Sequence, residues 1–454
     1  MTTSVIVQTA NGSDIRDFME TVLFGLNLNN KDTVEFGDTF IAITGPDGNK
    51  FNLKGTFNYS GAETEHANFL GGTVTSITLV ENPGIVHYAS FSAISLDANA
   101  VLSALTSGAL ENFFALLGAM KFAGNDGADS MLGSLLDDTI SGGGGADDIA
   151  ANDGNDLVEG GAGADILSGG AGIDTLSYWY SSAKVIVSLS GTADGGDATG
   201  DRIAGFENIT GSDHNDILSG NNGANVLEGG KGNDILKGGL GADILDGGGG
   251  TDTADYSSSR SGVTINLATG LATGGDASGD ILSAIENISG SFGKDVLTGS
   301  TLANVLLGRG GDDLLDGGVN ADHLIGGSGQ DRLIGGQGVD ILEGRGGADT
   351  FVLSNLASSA DTIMDFEVGK DHIEISAALF GGDLLAGVAL TNPQFEINNT
   401  GLASTKEAIF IFNERTGELF YDVNGSGGGE IGSRLIATLD GVLTHFSHND
   451  FTII

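Results

Sequence analysis

A nine-residue period from residue 124 to residue 352 constrains this chain more than any other feature. Counted from its first residue, each unit begins at Gly124, Gly133, Gly142, Ala151, Gly160 and Gly169 in a first block. A second block begins at Gly211, Gly220, Gly229, Gly238 and Gly247, and a third at Gly290, Gly299, Gly308, Gly317, Gly326, Gly335 and Gly344. Position six is an acid almost throughout: Asp129, Asp138, Asp147, Asp156, Asp165, Asp174, Asp216, Asp234, Asp243, Asp252, Asp295, Asp313, Asp322, Asp331, Asp340 and Asp349, with Asn225 and Asn304 as substitutes. Position eight is apolar in every unit, from Met131 to Phe351.

Each of these demands has a physical reading. Glycine at positions one, two and four lets the backbone turn through positive φ and lets carbonyls crowd toward one point. Calcium is a hard cation that takes six to eight oxygens, and carbonyls with a carboxylate supply them. The sixteen aspartates are therefore candidate metal ligands. The loop glycines Gly143, Gly145, Gly161, Gly163, Gly170, Gly172, Gly230, Gly232, Gly239, Gly241, Gly327, Gly329, Gly336 and Gly338 are candidate carbonyl ligands. The remaining x-apolar-x triplet reads as a short strand with one side chain turned inward, so stacked units build a core. Two units make one coil, which predicts ions between units i and i+2: Asp147 with Asp165, Asp234 with Asp252. Blocks of this size hold up to about twelve such sites, and about twelve ions would bring the net charge of −43 to about −19.

Units such as GGAGADIL at Gly160, GGKGNDIL at Gly229 and GGLGADIL at Gly238 resemble the RTX, or haemolysin-type, calcium-binding repeats of bacterial proteins exported by type I systems. The resemblance implies a parallel β-roll that binds several Ca²⁺ ions. Units that depart from the pattern, GSLLDD at 133, GSTLAN at 299 and those with Asn225 and Asn304, are expected to be weak or empty. GSDHND at 211 and GNNGAN at 220 read as capping coils, because repeat arrays need atypical units at their ends.

Two spacers, residues 178–210 and 256–289, interrupt the period and are related to each other. GGDATGDRIAGFENITGS at Gly195 recurs as GGDASGDILSAIENISGS at Gly274. Alternating KVIVSL and GVTINL predict strands that extend the roll. Trp179 and Tyr180, beside a strand, are expected to be core, with a binding surface as the other reading.

Residues 1–122 read as a small α+β domain. TVEFGDTFIAIT and KFNLKGTFNY are joined through Gly45-Pro46-Asp47-Gly48, TVTSITLV and IVHYASFSAISL through Asn82-Pro83-Gly84, and DIRDFMETVLF and ALENFFALLGAM read as helices. Residues 123–353 form the β-roll. Residues 354–454 read as a β-rich cap that resembles the C-terminal region of serralysin-type secreted proteins. There Asp361, Asp365 and Asp371 are expected to be solvated rather than ligating, and YDVNGSGGGE at Tyr421 reads as a turn. HNDFTII is similar to the uncleaved C-terminal signal of type I exporters. The expected class is thus mainly β.

Composition narrows the function. With 61 acidic against 18 basic residues the chain would be repelled by phosphate backbones, so nucleic acid is not an expected partner. Without cysteine there is neither a disulfide nor a thiol nucleophile. No basic and apolar leader and no run of about eighteen apolar residues occurs. HExxH, the zinc motif of serralysin proteases, is missing, as is GxSxG, and the HxxH pair His445 and His448 reads as surface histidine. The expected function is a secreted, extracellular calcium-binding protein that folds on export and serves as a binding or structural protein rather than an enzyme. Its expected partners are calcium, the type I exporter and an extracellular surface or glycan. The alternatives are a hydrolase with its site in residues 1–122, or an adhesin.

Overall fold

The structure is a computed structural model, and it describes residues 3–9, 33–37, 40–44, 50–60, 68–80, 87–97, 120–124, 126–354, 360–380, 384–422 and 433–454. It is mainly β with almost no helix, and a parallel β-solenoid of about 16 turns lies between residues 121 and 413. The chain forms two compact units, Met1–Asn221 with Leu227–Gly232, and Asn222–Val226 with Asn233–Ile454.

In the first unit, strands β1 (Thr3–Thr9), β2 (Thr33–Gly37), β3 (Phe40–Thr44), β4 (Lys50–Ser60), β5 (Asn68–Val80) and β6 (His87–Asp97) pair antiparallel in the order β2-β3-β4-β5-β6-β1. Both expected hairpins are present as strand pairs, Thr44 opposite Lys50 and Val80 opposite Tyr88. Their turns, and both expected helices apart from Met120, lie outside the described residues; Met120, the last residue of the second expected helix, is in a strand. Strand β1 also pairs in parallel with β7 (Met120–Ala123), so this sheet runs directly into one face of the roll.

From β7 onward the pairing is parallel with a step of 18 residues. On one face Phe122 stacks on Ile140, Ile140 on Val158 and Val158 on Leu176; on the other Met131 stacks on Ile149 and Ile149 on Leu167. Eighteen is twice the repeat, so each coil holds two nonapeptides. Because side chains of a strand alternate between faces, only the middle residue of each triplet points inward; Phe122, just before the first unit, is 4% exposed, and the position-eight residues stacked on it and beside it are at most 2% exposed. Burial of each such Leu, Ile or Val side chain contributes roughly 1.5–3 kcal/mol. In the second unit the same register joins Leu297 to Leu315 and on to Leu333 and Phe351, and Leu306 to Leu324 and Leu342.

The spacers are only partly extra strand. In the first, Ile186–Ser188 stacks in parallel on Ile217–Ser219 and folds back antiparallel on Thr192–Asp194. The chain then returns to the roll: Arg202–Ala204 stacks on Ile166–Ser168, and Asn208–Thr210 on Thr175–Ser177. Ile203 and Ile209 thereby occupy the inward position in a turn that lacks the repeat motif. The second spacer does the same with Leu282 and Ile288. Beyond residue 353, Asp361–Glu367 and His372–Ile375 continue the two faces of the second unit. Strand Phe451–Ile453 adds in parallel to the latter. Phe366, Phe380, Phe395, Phe410, Phe446 and Phe451 pack ring to ring among these strands and form an apolar plug.

Candidate metal centre

Two loops border every coil, and their aspartates lie above one another at a step of 18 residues. The Asp129 amide N–H donates to Asp147 Oδ1 (2.7 Å), and the Asp147 N–H to Asp165 Oδ1 (2.8 Å). A second ladder on the other side runs from Asp138 to Asp156 (2.7 Å) and on to Asp174 (2.8 Å). The second unit repeats both: Asp234 N–H to Asp252, Asp295 to Asp313 to Asp331 to Asp349, and Asp322 to Asp340, all between 2.7 and 3.0 Å. The structure thus brings together the pairs expected from the sequence, Asp147 with Asp165 and Asp234 with Asp252. The link it shows is a main-chain hydrogen bond to Oδ1.

The other carboxylate oxygen is the exception to ordinary interior chemistry. Oδ2 of Asp147, Asp156, Asp165, Asp174, Asp243, Asp252, Asp313, Asp322, Asp331 and Asp340 is buried with no hydrogen-bond partner. A buried ionised oxygen without a partner is costly, so such groups are normally paired or bound to a metal. Burial therefore pushes the carboxyls of Asp147, Asp156, Asp313 and Asp322 up to about 7 from 3.8; neighbouring carboxylates add to this, and the amide donors oppose it in part.

Carbonyls converge on the same places. A Cβ at Gly142 would lie 2.3 Å from Asp147 Oδ2 and 2.4 Å from the Gly160 carbonyl oxygen. At Gly308 the corresponding distances are 2.4 Å to Asp313 Oδ2 and 2.6 Å to Gly326 O, and at Gly317 they are 2.5 Å to Asp322 Oδ2 and 2.7 Å to Gly335 O. Position two is equally tight. Gly161 has φ 89°, and a Cβ there would stand 2.0 Å from the Gly143 carbonyl. At the position-two residues Asn152 (φ 75°), Arg309 (φ 75°) and Arg345 (φ 65°) the backbone keeps the left-handed form, whereas at the position-two serines Ser134, Ser212, Ser291 and Ser300 it does not. Among the described residues no three His, Asp or Glu side chains cluster as a metal site. The oxygens that converge at these loops are main-chain carbonyls and a carboxylate, an all-oxygen set of the kind that suits Ca²⁺ rather than zinc or copper.

Four units break the pattern in one way. Where position two is serine, the loop closes on its own acid: Ser212 N–H donates to Asp216 Oδ2 (2.5 Å) and its hydroxyl to Oδ1 (3.0 Å). Ser134 holds Asp138 in the same manner, Ser291 holds Asp295, and the Ser300 N–H donates to Asn304 Oδ1 (2.7 Å).

The ladders also recruit acids that the nine-residue ruler misses. Asp165 N–H donates to Asp201 Oδ1 (2.8 Å) and Asp174 N–H to Glu207 Oε2 (2.9 Å); Asp243 and Asp252 meet Asp280 and Glu286 likewise. In the cap, Asp361 and Asp371, expected to be solvated, are 5% and 3% exposed and accept from the amides of Asp340 and Asp349. Their signal is an acid two residues before an inward apolar residue, Asp201 before Ile203 or Asp361 before Ile363. Without the glycines the motif is too short to find alone. At Asp201 and Asp280 the second oxygen is satisfied within the protein, by the hydroxyls of Tyr178 and Tyr256 (2.9 Å each).

A parallel roll whose glycine loops enclose rows of buried carboxylates is a calcium-binding repeat architecture. The family model for the RTX calcium-binding nonapeptide repeat (4 copies) matches residues 123–158, 141–176, 204–227, 219–254, 289–324 and 316–351, so the roll is built of RTX-type calcium-binding repeats. No curated protein matches it by sequence. A solved structure that it resembles is the extracellular lipase LipA from Serratia marcescens, at 17% identity and a TM-score of 0.14, over 74% of this chain. The chain spans 40% of the length of that lipase. No helix among the described residues is long and apolar enough to cross a membrane.

Proposed function

We propose that this is an exported protein whose roll folds when Ca²⁺ enters the loops, and which then acts outside the cell as a binding or structural protein. The observation that carries this reading is the row of buried, partnerless Oδ2 atoms, those of Asp147, Asp174, Asp252, Asp313 and Asp322 lying where a neighbouring coil's carbonyl converges. Bound calcium supplies the positive charge that such a row lacks. The loop residues do the rest: glycines at positions one, two and four admit the carbonyls, and the amide ladder fixes each carboxylate's rotation so that Oδ2 faces the carbonyls. Where free calcium is scarce, repulsion among these acids in a chain of net charge −43 opposes folding, which keeps the chain in a form that can be exported. Outside, calcium at about 10⁻⁴ to 10⁻³ M suffices for modules of this kind, and the binding free energy becomes folding free energy.

Circular dichroism of the full chain during a calcium titration tests the reading. Strand signal that develops cooperatively with calcium and is lost on chelation is expected; signal indifferent to chelator would rule it out. The alternative of a hydrolase in residues 1–122 concerns side chains outside those described.

A further inference from the structure

The first spacer carries an aromatic pair that its fold does not use. Tyr178 is buried and bonded to Asp201, but its neighbours Trp179 and Tyr180 are 46% and 76% exposed. The second spacer provides an internal control. Its turn closes with the same bond, Ser259 N–H to the Tyr256 carbonyl (2.9 Å), as Ser181 N–H to Tyr178 in the first (2.9 Å). The serine hydroxyl caps the loop in the same way, on Ala183 O (2.8 Å) and Ser261 O (2.7 Å), and the following glycines, Gly195 and Gly274, have φ 79° and 80°. Yet the residues equivalent to Trp179 and Tyr180 are Ser257 and Ser258. The turn folds without aromatic side chains, so folding does not account for the pair.

Trp179 and Tyr180 wall a groove of about 520 Å³ over the outer face of the first unit's sheet. That volume lies within the usual range for small-ligand sites. Its floor is made of the outward residues of successive coils: Thr139 and Ser141, then Leu157 and Glu159, with Ser177 and Thr210 beyond. Hydroxyls, one carboxylate and the apolar residues Phe122, Ile140 and Leu157 thus share the lining with the two aromatic rings, with Lys121 the only cation among the lining residues. An anionic ligand is disfavoured by Glu159 and by the charge of the whole chain. A ligand that fits must be neutral, rich in hydrogen-bond donors and apolar on one flat face, which describes a pyranose ring.

We propose that this groove binds a neutral saccharide chain, with Trp179 and Tyr180 against sugar faces and Glu159, Thr139, Ser141 and Thr210 taking sugar hydroxyls. None of these residues belongs to the carboxylate ladders, so saccharide binding and calcium stoichiometry are separate readouts.

Trp179 is the only tryptophan in the chain, so its emission reports on this groove alone. Calcium-loaded protein is titrated with cellohexaose, maltohexaose and xylohexaose, and with phosphatidylcholine vesicles. A saturable change in Trp179 emission with at least one hexasaccharide is expected. By calorimetry, binding should weaken at least about tenfold in the Trp179→Ser/Tyr180→Ser variant, the change the second spacer itself makes, and in Glu159→Gln, with calcium stoichiometry unchanged. No response to any of the three sugars, equal binding by the variants, or a response to vesicles alone overturns the proposal. The wild-type titration decides even if the double variant does not fold.

Discussion

At the scale of single residues, the difference between glycine and serine at position two decides what satisfies the acid four residues later. In Ser212 both the amide and the hydroxyl are spent on Asp216, although Gly211 faces the same convergence seen elsewhere, 2.5 Å from Gly229 O and 2.7 Å from Asp216 Oδ2 to a Cβ built there. Replacing Ser212 with Gly removes the hydroxyl's share of this closure and frees the backbone to take the positive φ of the other position-two glycines, and it is expected to add one bound calcium per chain, counted by equilibrium dialysis. Titration of the carboxyls has a sign that can be worked out. Asp147, Asp156, Asp313 and Asp322 are raised to about 7, so in the ion-free protein they favour folding fully only below about 4, and that contribution is lost as pH rises through about 7. In calcium-stripped buffer the strand signal should therefore be larger at pH 5 than at pH 7.5. Calcium affinity should move the opposite way and fall as pH drops over the same interval, because protons and the ion compete for the same oxygens.

At the scale of elements, the strands of the repeat were legible because two independent residues, an acid and an apolar side chain, recur on one ruler. The 18-residue register follows from it, as Ile149 over Met131 and Leu315 over Leu297 show. The turns through Asp201 and Glu207 were not legible: these acids stand six residues apart rather than nine, and no glycine loop marks them. The serine closures were half legible. GSLLDD and GSTLAN looked like poor sites, but GSFGKD at 290 kept enough of the motif to hide the role of Ser291. Trp179 and Tyr180 looked like core because propensity cannot see which side of a strand end remains uncovered. The tyrosine of each spacer offers a test at this scale. Tyr256→Phe removes the donor to buried Asp280 Oδ2 and should cost about 1–3 kcal/mol in denaturant unfolding with calcium present, whereas Ser258→Ala should stay within about 0.5 kcal/mol.

At the scale of the whole molecule, the cap closes by a strand taken from the last residues. Phe451 and Ile453 are 4% and 3% exposed, Ile373 lies opposite Phe451, and the Ile454 amide donates to the Ile375 carbonyl (2.9 Å). Under the export proposed above, an address in HNDFTII would be readable only while the polypeptide is still loose. Once that strand has docked, its hydrophobic letters are sealed inside and no receptor can take hold of them. Under that proposal premature closure would strand the protein where it was made, and the ion that completes the roll would be met late, on the far side of the barrier.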